Sequence, residues 1–290
     1  MKKITSIILA VLMTLTVFAF CGCTGGQFDS NKQISVVVRE DGSGTKKAFM
    51  EFIGLKDKND KSGVIIATGT AAVLAEVKTN PIAIAYDSLG YVNDDVKILK
   101  VNGVLPSVET IKDGSYKIAR PLSVVYKEEE MTGVNEAYLR FLGSSEAQEI
   151  IAAEGYVAVV EKAEKYVIDP ELSGTIGISG STSLKPLMEK LAAKFEALQS
   201  GVQVSVGGGG SGTGYNDAKN GVSAFGMISE NFSETKAPGC VYYTVALDGI
   251  AIIVNKKNPA ENITLEQLKN VYDAEAGENA ITTWKQIIGE

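Results

Sequence analysis

Apolar residues along this chain come in short β-branched runs that alternate with segments of helical spacing. Ile34 to Val38 is a buried-strand run that stops at Arg39-Glu-Asp-Gly-Ser-Gly-Thr45, after which Ala48, Phe49, Phe52 and Ile53 share one helical face. Strands are expected at Val64 to Ala67 and Ile82 to Tyr86, on either side of a helix around Ala71 to Val77. A hairpin-like region through Asn102-Gly103 and Asp113-Gly114 precedes a strand at Leu122 to Tyr126, and Asn135 to Glu154 reads as helices with an apolar face. The charged stretch Glu161 to Gly174, broken by Pro170, reads as a connector. The pattern then restarts with a strand at Thr175 to Ser179. Leu184, Leu187, Met188, Leu191, Ala192, Phe195 and Leu198 follow as one amphipathic stripe. Strands at Val202 to Val206, Ala224 to Ile228 and Val245 to Val254, then helices at Leu265 to Tyr272 and Trp284 to Ile288, complete the series. Such alternation predicts an α/β fold with largely parallel sheets.

The first residues stand apart from this pattern. Lys2 and Lys3 precede an apolar run from Ile7 to Phe20 that ends in Cys21-Gly-Cys23, the layout of a secretory leader over residues 1–22. The ending resembles a bacterial lipobox in which Cys23, preceded by small Gly22, carries the lipid; an uncleaved anchor helix is the other possibility. Residues 23–32 then form a polar tether, and the rest lies outside the cytoplasmic membrane.

Composition narrows the chemistry. A length of 290 suggests about two domains or lobes, and the absence of histidine excludes Ser-His-Asp, Cys-His and HExxH sites. The formal charge of −7 becomes −9 once Lys2 and Lys3 are removed, which disfavours nucleic acid and anionic membranes as partners. Beyond Cys21 and Cys23 only Cys240 remains, expected as a small buried residue.

Strand, small-residue turn and helix recur three times, at Gly42-Ser-Gly-Thr45, Gly180-Ser-Thr-Ser183 and Gly207-Gly-Gly-Gly-Ser-Gly-Thr-Gly214. Each is a commonplace capped turn, yet each also leaves backbone N–H groups at a positive helix end, which suits an anion. Arg39 is the guanidinium beside them. Walker A is absent. Gly207, Gly209 and Gly212 formally fit GxGxxG with Glu230 about 18 residues on, but Tyr215 to Gly221 makes a poor crossover helix with almost no apolar face.

Gly180-Ser-Thr-Ser-Leu-Lys-Pro-Leu-Met-Glu189, Gly210-Ser-Gly-Thr-Gly214, Leu247 to Asn255 with Asn258-Pro259, and above all Val38-Arg-Glu-Asp-Gly-Ser-Gly-Thr45 resemble the phosphate-binding proteins of high-affinity phosphate ABC transporters, the Gram-positive lipoproteins in particular. The resemblance covers nearly all of residues 33–290, but in exchanged order: the half that carries GSTS in the family's first part here follows the half that carries RExGSGT. The chain thus resembles a circular permutant, with Glu161 to Gly174 joining the old ends; a fragment of a longer tandem protein is the rival account.

The resemblance implies a two-lobed periplasmic-binding-protein-like (type II) fold with mixed, mainly parallel sheets and a hinge of two crossing strands, near Ile118 to Pro121 and Thr244 to Asp248. One lobe would be 33–118 plus 248–290 and the other 119–247. It implies phosphate contacts at Arg39, Ser43, Gly44, Thr45, Ser181, Thr182, Ser183, Ser211 and Ser229, with Asp41 as the acid that steers Arg39. It implies inorganic phosphate and ABC permease subunits as partners, a monomer anchored by its lipid, and neither cofactor, metal nor catalysis. Where the family carries an aspartate this chain has Ser229, followed by Glu230. An inward Glu230 would accept the proton of HPO₄²⁻ and repel sulfate; an outward one would be a surface acid. Sulfate, molybdate or tungstate is the alternative ligand. A serine hydrolase is the alternative class, since Ser43-Gly-Thr-Lys46 matches SxxK.

Overall fold

The computed structural model describes residues 28–289. The expected leader, Cys23, the first part of the tether and Glu290 lie outside the described residues.

Two βαβαβ units of the same layout build the molecule. In the first, β1 (Ser35–Arg39), α1 (Gly44–Phe52), β2 (Ile65–Ala67), α2 (Thr70–Thr79) and β3 (Ala83–Ser88) follow in order, and β1 lies between β2 and β3, parallel to both. Next come β4 (Val96–Val101), α3 (Val108–Lys112), β5 (Ala119–Tyr126), α4 (Gly133–Leu142), α5 (Ser145–Ala153) and β6 (Val157–Ala158). The second unit repeats the first: β7 (Ser173–Gly180), α6 (Lys185–Leu198), β8 (Gly201–Gly209), α7 (Ser211–Lys219) and β9 (Phe225–Ile228), with β7 between β8 and β9 and parallel to both. The long β10 (Val241–Asn255), β11 (Asn262–Ile263), α8 (Leu265–Tyr272) and α9 (Lys285–Ile288) finish the chain.

β10 joins the units. Its first part pairs antiparallel with β5, and from Ile250 onward it pairs antiparallel with β3 and β4. The strand order is therefore β2-β1-β3-β10-β5-β9-β7-β8. The sheet is mixed, parallel inside each unit and antiparallel wherever the crossing strands β5 and β10 take part. At the crossing Arg120 lies opposite Asp248 in register, and their side chains form an ion pair of 3.2 Å in which both are 1% exposed.

Buried apolar side chains form two main cores. One gathers Phe49, Tyr86, Ile252 and Trp284 under the first unit, while Val37, Val73, Ala85 and Ile253 pack against α2 on its other face. The other gathers Tyr138, Phe141, Phe195 and Phe225, whose rings meet at centroid distances of 5.0 to 6.0 Å. The stripe read along α6 enters this second core through Leu187, Met188, Leu191 and Phe195, each full burial contributing about 1.5–3 kcal/mol. Cys240 is buried, as expected of it.

Some segments depart from the pattern reading. Asn102 and Gly103 have φ of 50° and 82° and make the tight turn that an Asn-Gly pair favours, but only a Val101–Val104 bridge closes it, not a hairpin. Asp113-Gly114 ends α3, a short helix started by a Ser107 capping box. The segment read as a poor crossover helix is α7. It packs through glycine: a Cβ on Gly226 would meet the Gly214 carbonyl oxygen of α7, and one on Gly214 would meet the Met227 carbonyl oxygen. Close backbone approach adds to a small apolar face, Tyr215 and Ala218, that packs with Val125, Ile228, Ala237 and Cys240.

The segments near both ends of the described residues lie side by side. The Ile34 N–H donates to the Thr282 carbonyl and the Lys285 N–H to the Ser30 carbonyl, each at 2.8 Å. Glu161 to Gly174 lies against α5 and α6: Ser145 N–H donates to the Glu164 carbonyl, and Tyr166 packs on Phe141 and Phe195.

Candidate anion-binding cleft

Parallel strands deliver the helices that follow them to one edge, so the carboxyl ends of β1, β2, β7 and β8 bring the starts of α1, α2, α6 and α7 together. The partial positive charges of four helix starts then face a common space. Along β1, Val36 and Val38 enter one core and Val37 the other, so the next alternate residue, Arg39, leaves the sheet on the face covered by α2. There it is 1% exposed.

The guanidinium is held by three hydroxyl or carboxylate partners. Nε and Nη2 donate to the two oxygens of Glu40, both at 2.8 Å; Nη2 also donates to Thr182 Oγ1 at 3.0 Å, and Nη1 to Thr70 Oγ1 at 3.4 Å. Glu40, not Asp41, is thus the acid that steers Arg39. Its carboxylate is anchored by the Gly69 N–H at the start of α2 (3.0 Å). Burial would raise the Glu40 carboxyl, but the Arg39 fork and the Gly69 N–H outweigh it and hold the group below the usual carboxylate range. Asp41 stands where the chain turns out into solvent; its side chain is 99% exposed and pairs with Lys46.

The two units touch through a lattice of hydroxyls. Thr45 Oγ1 lies 2.9 Å from Ser183 Oγ, and Thr70 Oγ1 lies 3.2 Å from Thr182 Oγ1 and 3.4 Å from Ser183 Oγ. Ser211 Oγ accepts the Ser229 N–H at 3.0 Å and sits 3.3 Å from Ser229 Oγ. Gly44 lies directly against this pair, because a Cβ there would stand 2.3 Å from Ser211 Oγ and 2.8 Å from Ser229 Oγ. The Gly212 N–H donates to the Gly42 carbonyl at 3.1 Å. Ser43 caps α1, its hydroxyl accepting the Lys46 N–H at 3.3 Å, and the Ser181 hydroxyl closes the turn before α6 by accepting the Leu184 N–H at 3.2 Å.

The structure therefore brings Arg39, Gly44, Thr45, Thr182, Ser183, Ser211 and Ser229 to one cleft, with Ser43 and Ser181 behind them. Thr70, which the sequence reading passed over, stands among them at 2% exposure. Thr68-Gly-Thr70 has the same strand–Gly–hydroxyl–helix layout as the three turns singled out, and that signal would have found it. Glu230 is buried at 2% but turned elsewhere: its Oε1 accepts from Lys236 Nζ at 2.5 Å, and Lys47 Nζ lies 3.6 Å from Oε2. It lines a separate cleft of about 370 Å³ between α1 and residues 230–233.

Lys46 Nζ is clamped by Asp41 and Asp60 at 2.8 and 2.7 Å; although burial works against its charge, these two carboxylates raise its pKa above the usual lysine value. It is no base for Ser43. Hydroxyls, helix starts and one buried guanidinium are the equipment of an oxyanion receptor.

Two α/β units around crossing strands, with a polar cleft between them, define a two-lobed solute-binding protein, and the model of the PBP superfamily domain matches residues 26–146 and 168–290. The phosphate-binding protein PstS 2 of Streptococcus agalactiae (serotype V) is 33% identical over 97% of each chain. The crystal structure of a phosphate ABC transporter phosphate-binding protein from Streptococcus pneumoniae TIGR4 superposes with a TM-score of 0.70 at 31% identity, covering 88% of this chain and 99% of that one. The phosphate-binding protein PstS of Bacillus subtilis is 31% identical, but over 42% of this chain and 40% of its own. The chain belongs to the PBP superfamily and, within it, to the PstS family of phosphate-binding proteins.

Proposed function

We propose that this protein is an extracytoplasmic receptor that captures inorganic phosphate between its lobes and delivers it to an ABC importer. The observation that carries this reading is the buried Arg39 guanidinium at the meeting point of four helix starts and their hydroxyls. The naming of the Streptococcus relatives as phosphate-binding proteins supports it. Arg39, Gly44, Thr45, Thr70, Thr182, Ser183, Ser211 and Ser229 surround the anion, and Ser43 and Ser181 fix the turns. Residues 33–118 plus 248–290 form one lobe and 119–247 the other. Closing the lobes buries the ion and presents a surface that permease subunits distinguish from the open form. The protein itself carries out no reaction.

Residues 1–22 act as the leader, Cys23 carries the lipid and 23–32 tether a monomer to the outer face of the membrane. The exchanged order of halves is a circular permutation. Its support is twofold: residues 30–34 and 282–285 are hydrogen-bonded neighbours, and the Bacillus subtilis relative aligns with less than half of either chain. The Streptococcus agalactiae relative, aligned over 97% of each chain, shares the order seen here.

Calorimetry with phosphate, sulfate, molybdate and tungstate tests the ligand. Phosphate is expected to bind at about micromolar or tighter; binding of another oxyanion without phosphate overturns the assignment.

A further inference from the structure

Ser229 stands just past the end of β9, whose last residue, Ile228, pairs with Ser123 of β5. The ladder stops there, yet Ser229 is 2% exposed, so its backbone N–H and carbonyl need partners inside the protein. Both partners are side chains. The N–H donates to Ser211 Oγ at 3.0 Å, and the carbonyl accepts from Arg120 Nη1 at 2.9 Å. Together these bonds set the Ser211–Ser229 hydroxyl pair, 3.3 Å apart, that lies against Gly44 of the opposite unit.

Arg120 reaches Ser229 from a crossing strand. It lies in β5 opposite Asp248 of β10, and its Nη2 donates to Asp248 Oδ2 at 3.2 Å. Asp248 in turn accepts the Ser88 hydroxyl at 2.8 Å and the Gly90 N–H at 3.4 Å, where β3 of the first unit ends. One guanidinium thus ties the end of β9 in the second unit to the end of β3 in the first, by way of the two crossing strands. The side chains of Arg120 and Asp248 are each 1% exposed, so losing either partner would strand a desolvated charge. A planar guanidinium also presents its two terminal nitrogens in fixed directions, one here to a carboxylate and the other to a carbonyl. Any twist of β5 against β10 that shifts Asp248 therefore shifts the point from which Ser229 is held.

We propose that Arg120 is a positioning residue of the anion cleft, setting the Ser211–Ser229 hydroxyl pair through the Ser229 carbonyl and, through Asp248, making that setting follow the hinge. This rests on the phosphate-receptor reading and deepens it. Arg120 acts through Ser229 and not on the anion, since each of its terminal nitrogens is engaged by a protein oxygen. The two buried arginines divide the work: Arg39 supplies charge among the hydroxyls, and Arg120 supplies geometry. Geometry is worth having, because a hydroxyl displaced by about 1 Å no longer makes its hydrogen bond.

A double-mutant cycle, read by calorimetry with inorganic phosphate, tests this. Ser229→Ala removes the hydroxyl. Arg120→Lys keeps a cation for Asp248 but gathers its donors on one nitrogen, which cannot hold the carboxylate and the carbonyl in their present places. Each variant is expected to bind phosphate about tenfold more weakly. The double variant is expected to lose about tenfold as well, because the second change removes a contact that the first has already lost. An Arg120 that only supports the fold would lower stability in urea and let the two losses add to about a hundredfold, and that result overturns the proposal. Wild-type affinity in Arg120→Lys or in Ser229→Ala also overturns it and leaves the phosphate receptor standing. If Arg120→Lys does not fold, Asp248→Asn, which removes the charge that orients Arg120, takes its place in the cycle and decides by the same criterion. Absence of phosphate binding by the wild type overturns the receptor reading and this proposal with it.

Discussion

Glu40 grips the Arg39 guanidinium with both carboxylate oxygens, and the free edge of that fork reaches 3.0 Å to Thr182 on the opposite unit. The fork fixes the plane of the guanidinium, and the plane decides which N–H groups remain for a ligand. Removing Arg39 leaves a desolvated anion with neutral donors only. Arg39→Ala is expected to weaken phosphate binding by about 2–5 kcal/mol. Arg39→Lys recovers little, because an ammonium cannot fork onto Glu40 and reach Thr182 together. Asp41→Asn, altering a solvated carboxylate, should stay within about 0.5 kcal/mol of wild type. Calorimetric titration of the three variants checks the ranking; a loss in Asp41→Asn as large as that in Arg39→Ala would return the steering role to Asp41.

Gly44 tests closure separately from charge. A methyl group at this position would overlap Ser211 Oγ and Ser229 Oγ, which belong to the opposite unit. Gly44→Ala should keep each unit folded and leave the melting temperature nearly unchanged. The lobes, however, could not come together as they do here, and affinity should fall at least about tenfold, or 1.4 kcal/mol. Small-angle scattering with and without phosphate reads the closure directly. Contraction of the variant to the wild-type radius would show that the contact yields.

Much of this was legible in the residue pattern. Strand runs and the α6 stripe stand out because deep burial demands uninterrupted apolar residues, and the RExGSGT, GSTS and GSGTG turns stand out because helix starts that face an anion need small residues and hydroxyls. Three features were not legible. α7 packs largely by backbone contact at Gly214 and Gly226, with only Tyr215 and Ala218 as buried apolar side chains, which leaves little apolar periodicity to read. The choice of Glu40 over Asp41 depends on the Gly69 N–H, about 30 residues away in sequence. Asp87 sits at the end of an apolar strand run, and its complete burial depends on how β3 pairs with β1 and β10.

Glu230 divides stability from affinity between two lysines. Its side chain is 3% exposed; Lys236, in its own unit, supplies the close ion pair, and Lys47, on α1, reaches it from the other unit at 3.6 Å. Lys236→Ala leaves a buried carboxylate with only a distant cation and should destabilise the protein by about 1–3 kcal/mol in urea. Lys47→Ala removes a contact that exists only when the units meet. It should leave stability without phosphate nearly unchanged and weaken phosphate binding by about 0.5–1 kcal/mol. Equal effects of the two variants on both quantities would show that Glu230 does not distinguish the lobes.

Asp87, fully buried in β3, sets a pH dependence of stability that runs against the usual acid denaturation. Its carboxyl titrates near 3.8 when unfolded and at about 7 when folded, because burial disfavours the charge. The folded state therefore holds a proton that the unfolded state releases. The resulting contribution is fully present below about 4 and is lost as pH rises through about 7. A displacement from 3.8 to about 7 corresponds to at most about 4 kcal/mol. Asp248 is raised in the same direction by burial, against the pull of Arg120, and adds to the trend. Carboxylates held low, such as Glu40, work the other way below the usual carboxylate range. The difference between wild type and Asp87→Asn cancels these shared terms. In urea titrations without phosphate, the asparagine variant should gain on the wild type steadily between about pH 4 and 7 and level off above. A difference independent of pH would mean that Asp87 keeps an ordinary pKa in the folded protein.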